Sequence, residues 1–301
     1  AGALRGWLES DNEIAEVWFP KMTHQGRLRR DRRLAWWAPR WSIAALARRH
    51  GFKIRMVPTL VTWEGVADEV RNVGADVLIS VLFSYRVPSD VLEIFSNPEF
   101  GSRAVNIHPA PLPQYRGPHP YHSLILDGVI REKACVTLHV MEADFDTGGI
   151  IAVRPVSFPK NGSLTRYGIE VGRATEQLLY NDFPRFLAGE IEAVAQDENI
   201  AEYRRITGTE YILGPNIELK AAALFCQTFG STSVLEVSGI NDAKVIGIAK
   251  VLGPPTGEPP IKRYFNIETD LANARVRLNR KMPWTSPIRK FGSLLVRMLS
   301  H

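Results

Sequence analysis

The chain has 301 residues, 45% of them hydrophobic and 23% charged, which excludes a disordered polyelectrolyte and allows one large folded domain plus a smaller one. The longest apolar runs, such as 77–83 and 221–226, are far too short to cross a bilayer as a helix, and no charged-then-apolar leader opens the sequence. A net charge of +5 with an isoelectric point near 9.2 suits an anionic ligand, while Cys135 and Cys226 lack companions at metal-ligand spacing and read as buried thiols of a reducing, cytoplasmic protein.

Residues 1–10 are predicted helical with Leu4, Trp7 and Leu8 on one face, and 13–19 form a strand. The densest charge run, 27–33 (Arg-Leu-Arg-Arg-Asp-Arg-Arg), reads either as a phosphate-contacting loop or, preferred for a charge run, as a solvated one. Trp36, Trp37 and Trp41 follow. With arginine they make a platform for a nucleotide, but their spacing also fits the buried face of a helix reaching Arg49, and this core reading is preferred. Lys53–Val57 is a strand, 63–72 a helix, and 76–83 an apolar strand buried on both faces. Alternation of such units gives an α/β fold with a doubly wound, mostly parallel sheet. A helix over 89–95 is capped by Ser89.

The stretch from Val105 to Gly117 organises the rest: Val-Asn-Ile-His-Pro-Ala-Pro-Leu-Pro-Gln-Tyr-Arg-Gly. Asn106 and His108 are two apart, so an extended strand sends both side chains to one face. Pro109, Pro111 and Pro113 then forbid continuation of a ladder or helix, which leaves an amide and an imidazole side by side at a strand end. Open α/β sheets bind ligands at that place. The strand Cys135–Val140 ends in Met-Glu-Ala-Asp-Phe-Asp-Thr-Gly-Gly, delivering Asp146 from a second strand end with Gly148 and Gly149 behind it. Asn106, His108 and Asp146 suit attack of an amine on a carbonyl: an oxyanion donor, a proton relay and a carboxylate that orients the imidazole. Pro118-His119-Pro120-Tyr121 leads into a helix through Leu126 that Gly128 ends. His108, His119, His122 and His139 include no helical i,i+4 pair with a supporting carboxylate, so no metal is expected. His119 and His122 are assigned to an acceptor pocket or to capping the helix.

Asn-x-His-Pro-x-x-Leu-Pro-x-Tyr-Arg-Gly, followed at this interval by Asp-x-Gly, resembles the folate-dependent formyltransferases that act on methionyl-tRNA, glycinamide ribonucleotide and amino sugars. The resemblance covers residues 1–205 and is densest from 105 to 149. It implies a Rossmann-like core, Asn106, His108 and Asp146 as the catalytic trio, N10-formyltetrahydrofolate as formyl donor and a primary amine as acceptor. It also implies cofactor contacts from Tyr85, Arg86 and Val87 in the loop 84–88 and from Glu142 and Asp144. A first strand and a glycine-containing turn precede the opening helix in that family, and neither is in this sequence, so the first strand is expected to be missing from the sheet. Pro-Ala-Pro-Leu-Pro-x-Tyr-Arg-Gly with Pro-His-Pro-Tyr looks like the sugar-nucleotide branch, which implies a nucleotide-linked amino sugar as acceptor. The basic run 27–33 stands near where the tRNA enzymes carry a basic loop, which keeps methionyl-tRNA as the alternative. A noncatalytic folate- or nucleotide-binding module on the same fold is the reading from another class.

Strand 150–158 pairs as a hairpin with Cys135–Val140, and Ser163 caps a long helix over 164–187. From Ile206 the texture changes. Short runs at 233–237 and 245–252, with Gly239, Asn241 and Asp242 between them, read as antiparallel strands of a small β-rich C-terminal domain. Its leading helix is 221–225, and 253–260 is a Pro/Gly linker. Domains of 1–205 and 206–301 follow. The aspartate-tryptophan pair and aromatic-proline-glycine turn common in the small barrel of several formyltransferases are absent. A basic amphipathic helix over 287–299, with Ile288, Phe291, Leu295 and Met298 on one face, is expected to pack on the domain or on the second subunit of a homodimer rather than on a membrane.

Overall fold

The computed structural model describes the chain except at residues 22–30, 32–35, 37–38, 84, 98–100, 161, 208–210, 230–234, 242–243 and 281–301. The helix expected over 287–299, the charge run apart from Asp31, and Trp37 lie outside the described residues. Two compact units divide the chain, residues 1–159 with 164–205 and residues 160–163 with 206–301.

The first unit opens with α1 (Gly2–Glu9), whose Trp7 is buried with its ring 5.5 Å from that of Phe183. Strands β1 (Glu16–Pro20) and β2 (Lys53–Val57) pair in parallel, Glu16 opposite Lys53. Between them runs α2 (Ile43–His50). Its open N–H groups are met twice: Ser42 Oγ accepts from the Ala45 amide at 3.1 Å, and the Asp31 carboxylate accepts from Ile43 and Ala44, each at 2.8 Å. The helical core face expected for the tryptophans does not extend back to Trp36, which is 88% exposed. A separate short turn, Pro39–Trp41, precedes α2.

After α3 (Val66–Val73), β3 (Leu78–Val81) and α4 (Ser89–Ile94), the chain makes a two-residue ladder from β4 (Ser96–Asn97) and β5 (Gly101–Ser102). Ser89 is the first helical residue of α4 and not its cap, because Pro88 occupies the flanking position in extended backbone. Then follow β6 (Ala104–His108), α5 (Pro120–Leu126), α6 (Ile130–Lys133), β7 (Cys135–Val140) and β8 (Ile150–Pro155). The sheet order is β3-β6-β7-β8. β3 and β6 are parallel, as β1 and β2 are, whereas β6–β7 and β7–β8 are antiparallel, so the side of the sheet that carries the site departs from the parallel pattern. The β1–β2 ladder is separate from the β3-β6-β7-β8 sheet, and a cavity of about 1030 Å³ is lined by residues of both β1 and β3, among them Val17, Phe19, Leu78 and Ile79.

β6 and β7 turn one face into the apolar core, where Val105, Ile107, Val136 and Leu138 are essentially inaccessible. Leu138→Ala is therefore expected to cost about 2–5 kcal/mol in chemical denaturation, and a midpoint equal to wild type would contradict this placement. The helix expected over 164–187 is interrupted. α7 (Leu164–Gln177) and α8 (Phe183–Leu187) are separated by a wider turn, Leu178–Asp182, because Pro184 cannot donate back into a regular helical ladder. Cys135 and Cys226 are buried and free, and burial pushes both thiols up to about 11.

In the second unit β9 (Ile212–Leu213), α9 (Leu219–Phe229) and β10 (Glu236–Val237) precede a four-stranded antiparallel sheet. That sheet is built from β11 (Val245–Gly253), β12 (Ile261–Lys262), β13 (Asn266–Asp270) and β14 (Arg275–Arg280), in the order β11-β14-β13-β12. The Pro/Gly stretch read as a linker is a loop between two strands of this sheet, held where Asp270 Oδ2 accepts from the Thr256 and Gly257 amides at 2.9 and 2.7 Å. Among the described residues no helix is long and apolar enough to cross a membrane.

Candidate active site

In the β6–β7 ladder Asn106 stands opposite His139, and His108 opposite Thr137, so all four side chains share one face. The loop between β7 and β8 brings Asp146 onto that face. Its Oδ1 accepts from Asn106 Nδ2 at 3.3 Å and lies 3.4 Å from His108 Nδ1, while Oδ2 accepts from the Gly117 amide at 2.9 Å. The three residues expected to act together are thus brought together, around one nearly buried carboxylate. Gly117 is in the left-handed region at φ 110, and a Cβ there would lie 2.7 Å from the Arg204 carbonyl, which no other residue could meet without displacing the chain.

Each ring has its second nitrogen engaged. His108 Nε2 donates to the Tyr115 carbonyl at 2.9 Å, and His139 Nδ1 donates to the Val140 carbonyl at 2.7 Å. A carbonyl only accepts, so His139 carries its hydrogen on Nδ1 and presents Nε2 to Asn106 Nδ2, 3.1 Å away. Both amide hydrogens of Asn106 are therefore directed at Asp146 and His139, and donation to an oxyanion requires the amide to exchange a partner when substrate arrives. Burial works to raise the Asp146 carboxyl, but the rings of His108 and His139 together with the Gly117 amide outweigh it and hold the group well below the usual carboxylate range. Asp146 adopts a left-handed backbone at φ 61, a conformation that costs about 1–2 kcal/mol for an ordinary residue and less for aspartate.

The residues implied for cofactor contact fall into two groups. Val87 and Tyr85 are committed to packing: Val87 is buried, and the Tyr85 ring meets Phe83 edge-on at 5.5 Å. Arg86 joins the two loops instead, with Nε donating to the Ala143 carbonyl at 2.8 Å and Nη2 to Asp144 at 2.9 Å. Glu142 accepts from Thr147 within its own loop at 3.1 Å. Val81 and Leu82, at the end of β3, and Phe145, next to Asp144 in the chain, are exposed apolar side chains. His119 makes no side-chain cap on α5; its ring stacks on His122 at 6.1 Å, and Tyr121 stands edge-on to His122 at 4.5 Å. Burial, reinforced by His119, holds His122 down at about 4.

His139 and Gln196 belong to the site and are missing from the expected set. His139 carries a signal in sequence, the alternation of Cys135–Val140, but only the ladder register puts it against Asn106. Gln196, fifty residues after Asp146, has no local signal.

Residues 50–181 match the formyl transferase family. A methionyl-tRNA formyltransferase of Listeria innocua is 31% identical over 138 residues, covering 46% of this chain and 42% of that protein, so the match spans less than half of this curated relative. Among solved structures, an N-formyltransferase of Helicobacter canadensis, in complex with folinic acid and dTDP-3-aminofucose, aligns with a TM-score of 0.53 at 16% identity, over 89% of this chain and 100% of its own. HypX of Aquifex aeolicus, in complex with tetrahydrofolic acid, aligns with a TM-score of 0.53 at 14% identity, over 87% of this chain and 43% of its own.

Proposed function

We propose, from the match of residues 50–181 to the formyl transferase family, that the chain moves a formyl group from N10-formyltetrahydrofolate to a primary amine, that of a nucleotide-linked amino sugar. The observation that carries the reading is the convergence of Asn106, His108 and Asp146 from two strand ends on one carboxylate held ionised. The donor supplies an activated formyl carbon. Exposed apolar Phe145, next to Asp144 of the Arg86–Asp144 pair, suits contact with a flat heteroaromatic ring.

Asp146 holds the His108 ring; when substrate arrives, His108 exchanges the Tyr115 carbonyl and Asn106 exchanges one of its partners, and both then donate N–H groups to the negative charge that develops on the formyl oxygen as the amine attacks. The proton lost by the amine passes through His108 or solvent to the departing nitrogen as that carbon–nitrogen bond breaks. The sugar acceptor is supported by the Pro118-His-Pro-Tyr texture and by the aromatic group of His119, Tyr121 and His122, which suits stacking of a base or sugar. The Helicobacter canadensis protein was solved in complex with dTDP-3-aminofucose, a nucleotide-linked amino sugar. Methionyl-tRNA is the second reading, favoured by the curated sequence relatives.

Release of tetrahydrofolate from N10-formyltetrahydrofolate, measured against nucleotide-linked amino sugars and methionyl-tRNA, tests both readings. Turnover on a sugar is expected, reduced by about 10²–10³-fold in His108→Ala. It should weaken only modestly with salt, whereas tRNA binding would fall steeply. Turnover on tRNA alone would replace the sugar acceptor. Folate binding with no turnover on any amine would leave a noncatalytic binding module.

A further inference from the structure

The segment 192–204 lies outside both catalytic motifs and ties them to each other. At one end Val194 and Ile150 exchange backbone hydrogen bonds of 2.7 and 2.8 Å. At the other, the Arg116 amide donates to the Glu202 carbonyl and the Arg204 amide to the Arg116 carbonyl, both at 2.9 Å. Between these ends Gln196 Nε2 donates to the carbonyls of Asp146 and Gly148 at 2.8 and 2.7 Å, using both amide hydrogens. Gln196 Oε1 accepts from Arg116 Nε and Nη2 at 3.1 and 2.8 Å, and the buried guanidinium also meets the Glu198 carboxylate at 2.6 and 3.0 Å.

We propose that Gln196 is a positioning residue of the catalytic centre, one that fixes the Asp146 backbone relative to the loop carrying Arg116 and Gly117 and so fixes the carboxylate against His108. This rests on the reading of Asn106, His108 and Asp146 as the catalytic trio. The side-chain chemistry is selective. Two carbonyls on one side need donors and a guanidinium on the other needs an acceptor, and a primary amide presents both. A carboxylate would face the two carbonyls with lone pairs, and an ammonium would face the guanidinium with charge. The left-handed backbone of Asp146 persists only where its surroundings specify it, and Gln196 supplies two of the bonds that do so.

Gln196→Glu tests the proposal, because it keeps the length and the bond to Arg116 and replaces the two donors with a carboxylate oxygen that repels the Asp146 and Gly148 carbonyls. Formyl transfer is expected to lose about 10–100-fold in kcat. KM for donor and acceptor should stay within about threefold, since substrate contacts are untouched. An independent readout is the titration of the Asp146 carboxyl by carbon-detected NMR. Asp146 faces His108 and His139, with Arg116 and Glu142 the next charges on the loops. In Gln196→Met, which adds no charge beside Asp146, release of the backbone should move this titration up toward the ordinary value of 3.8. An unmoved titration together with kcat within about twofold of wild type would overturn the proposal. Absence of transfer in the wild type would overturn the proposed activity instead, and the titration alone would then decide the positioning role. Gln196→Met, similar in length with neither donor nor acceptor, supplies the kcat readout as well where Gln196→Glu does not fold.

Discussion

Asp146→Asn is expected to lower formyl transfer by on the order of 10³-fold, because an amide cannot satisfy the partners that converge on the carboxylate. Oδ2 receives the Gly117 amide and Oδ1 receives Asn106 Nδ2 and faces His108 Nδ1. Either orientation of the new side chain sets an NH₂ group against one of these donors. The His108 ring then loses the group that orients it, and Asn106 loses one of the two partners that fix its amide. The same substitution changes the pH dependence of stability. Asp146 has a folded-state carboxyl held below its unfolded value of 3.8, so its stabilising contribution is fully present above that value and is lost as pH falls beneath it. Acid unfolding of the wild type should therefore be steeper below that point than acid unfolding of Asp146→Asn. Tetrahydrofolate release and an acid denaturation series measure the two effects, and a variant within about tenfold of wild-type kcat would remove Asp146 from the catalytic group.

Gly148→Ala is expected to abolish activity out of proportion to its effect on folding. A Cβ at this position would sit 2.1 Å from the Val140 carbonyl oxygen and 2.8 Å from its carbon, and both are backbone atoms that cannot rotate aside. Val140 ends β7: its amide donates to the Gly149 carbonyl at 2.9 Å, and its carbonyl accepts from His139 Nδ1. Relief has two routes. Moving Val140 frees His139 and, through it, the amide of Asn106. Moving the loop carries Asp146 away from His108. Either route should reduce kcat by about 10² or more. The stability loss should be about 1–3 kcal/mol, the range of a local overpacking. Denaturation and turnover on the same preparation separate the two quantities. Wild-type turnover in Gly148→Ala would mean that the close approach of this loop to β7 is not needed for the chemistry.

Much of the first unit was legible from local pattern. The strands at Lys53–Val57 and Cys135–Val140 have the bounds their alternation predicts. Misses cluster where a local signal met a stronger neighbour. Trp36 was expected on the buried face of a helix, but it lies in solvent ahead of the separate short turn Pro39–Trp41. Ser89 is a good capping residue, but Pro88 already holds the capping position. The helix expected over 164–187 was sound in extent and wrong in continuity, because one proline widened a turn.

The amino-acid sequence by itself determined that Asn106 and His108 share a face at a strand end and that Asp146 follows a second strand in a glycine-permitted turn. The period of two is a property of covalent geometry, and proline and glycine act on the backbone next to them. Only the tertiary structure decided that His139 stands opposite Asn106 and that Gln196 holds the Asp146 loop to Arg116. Those pairings depend on ladder register and on segments brought together from far along the chain, where the packing of the whole unit selects one arrangement among many that the local sequence allows.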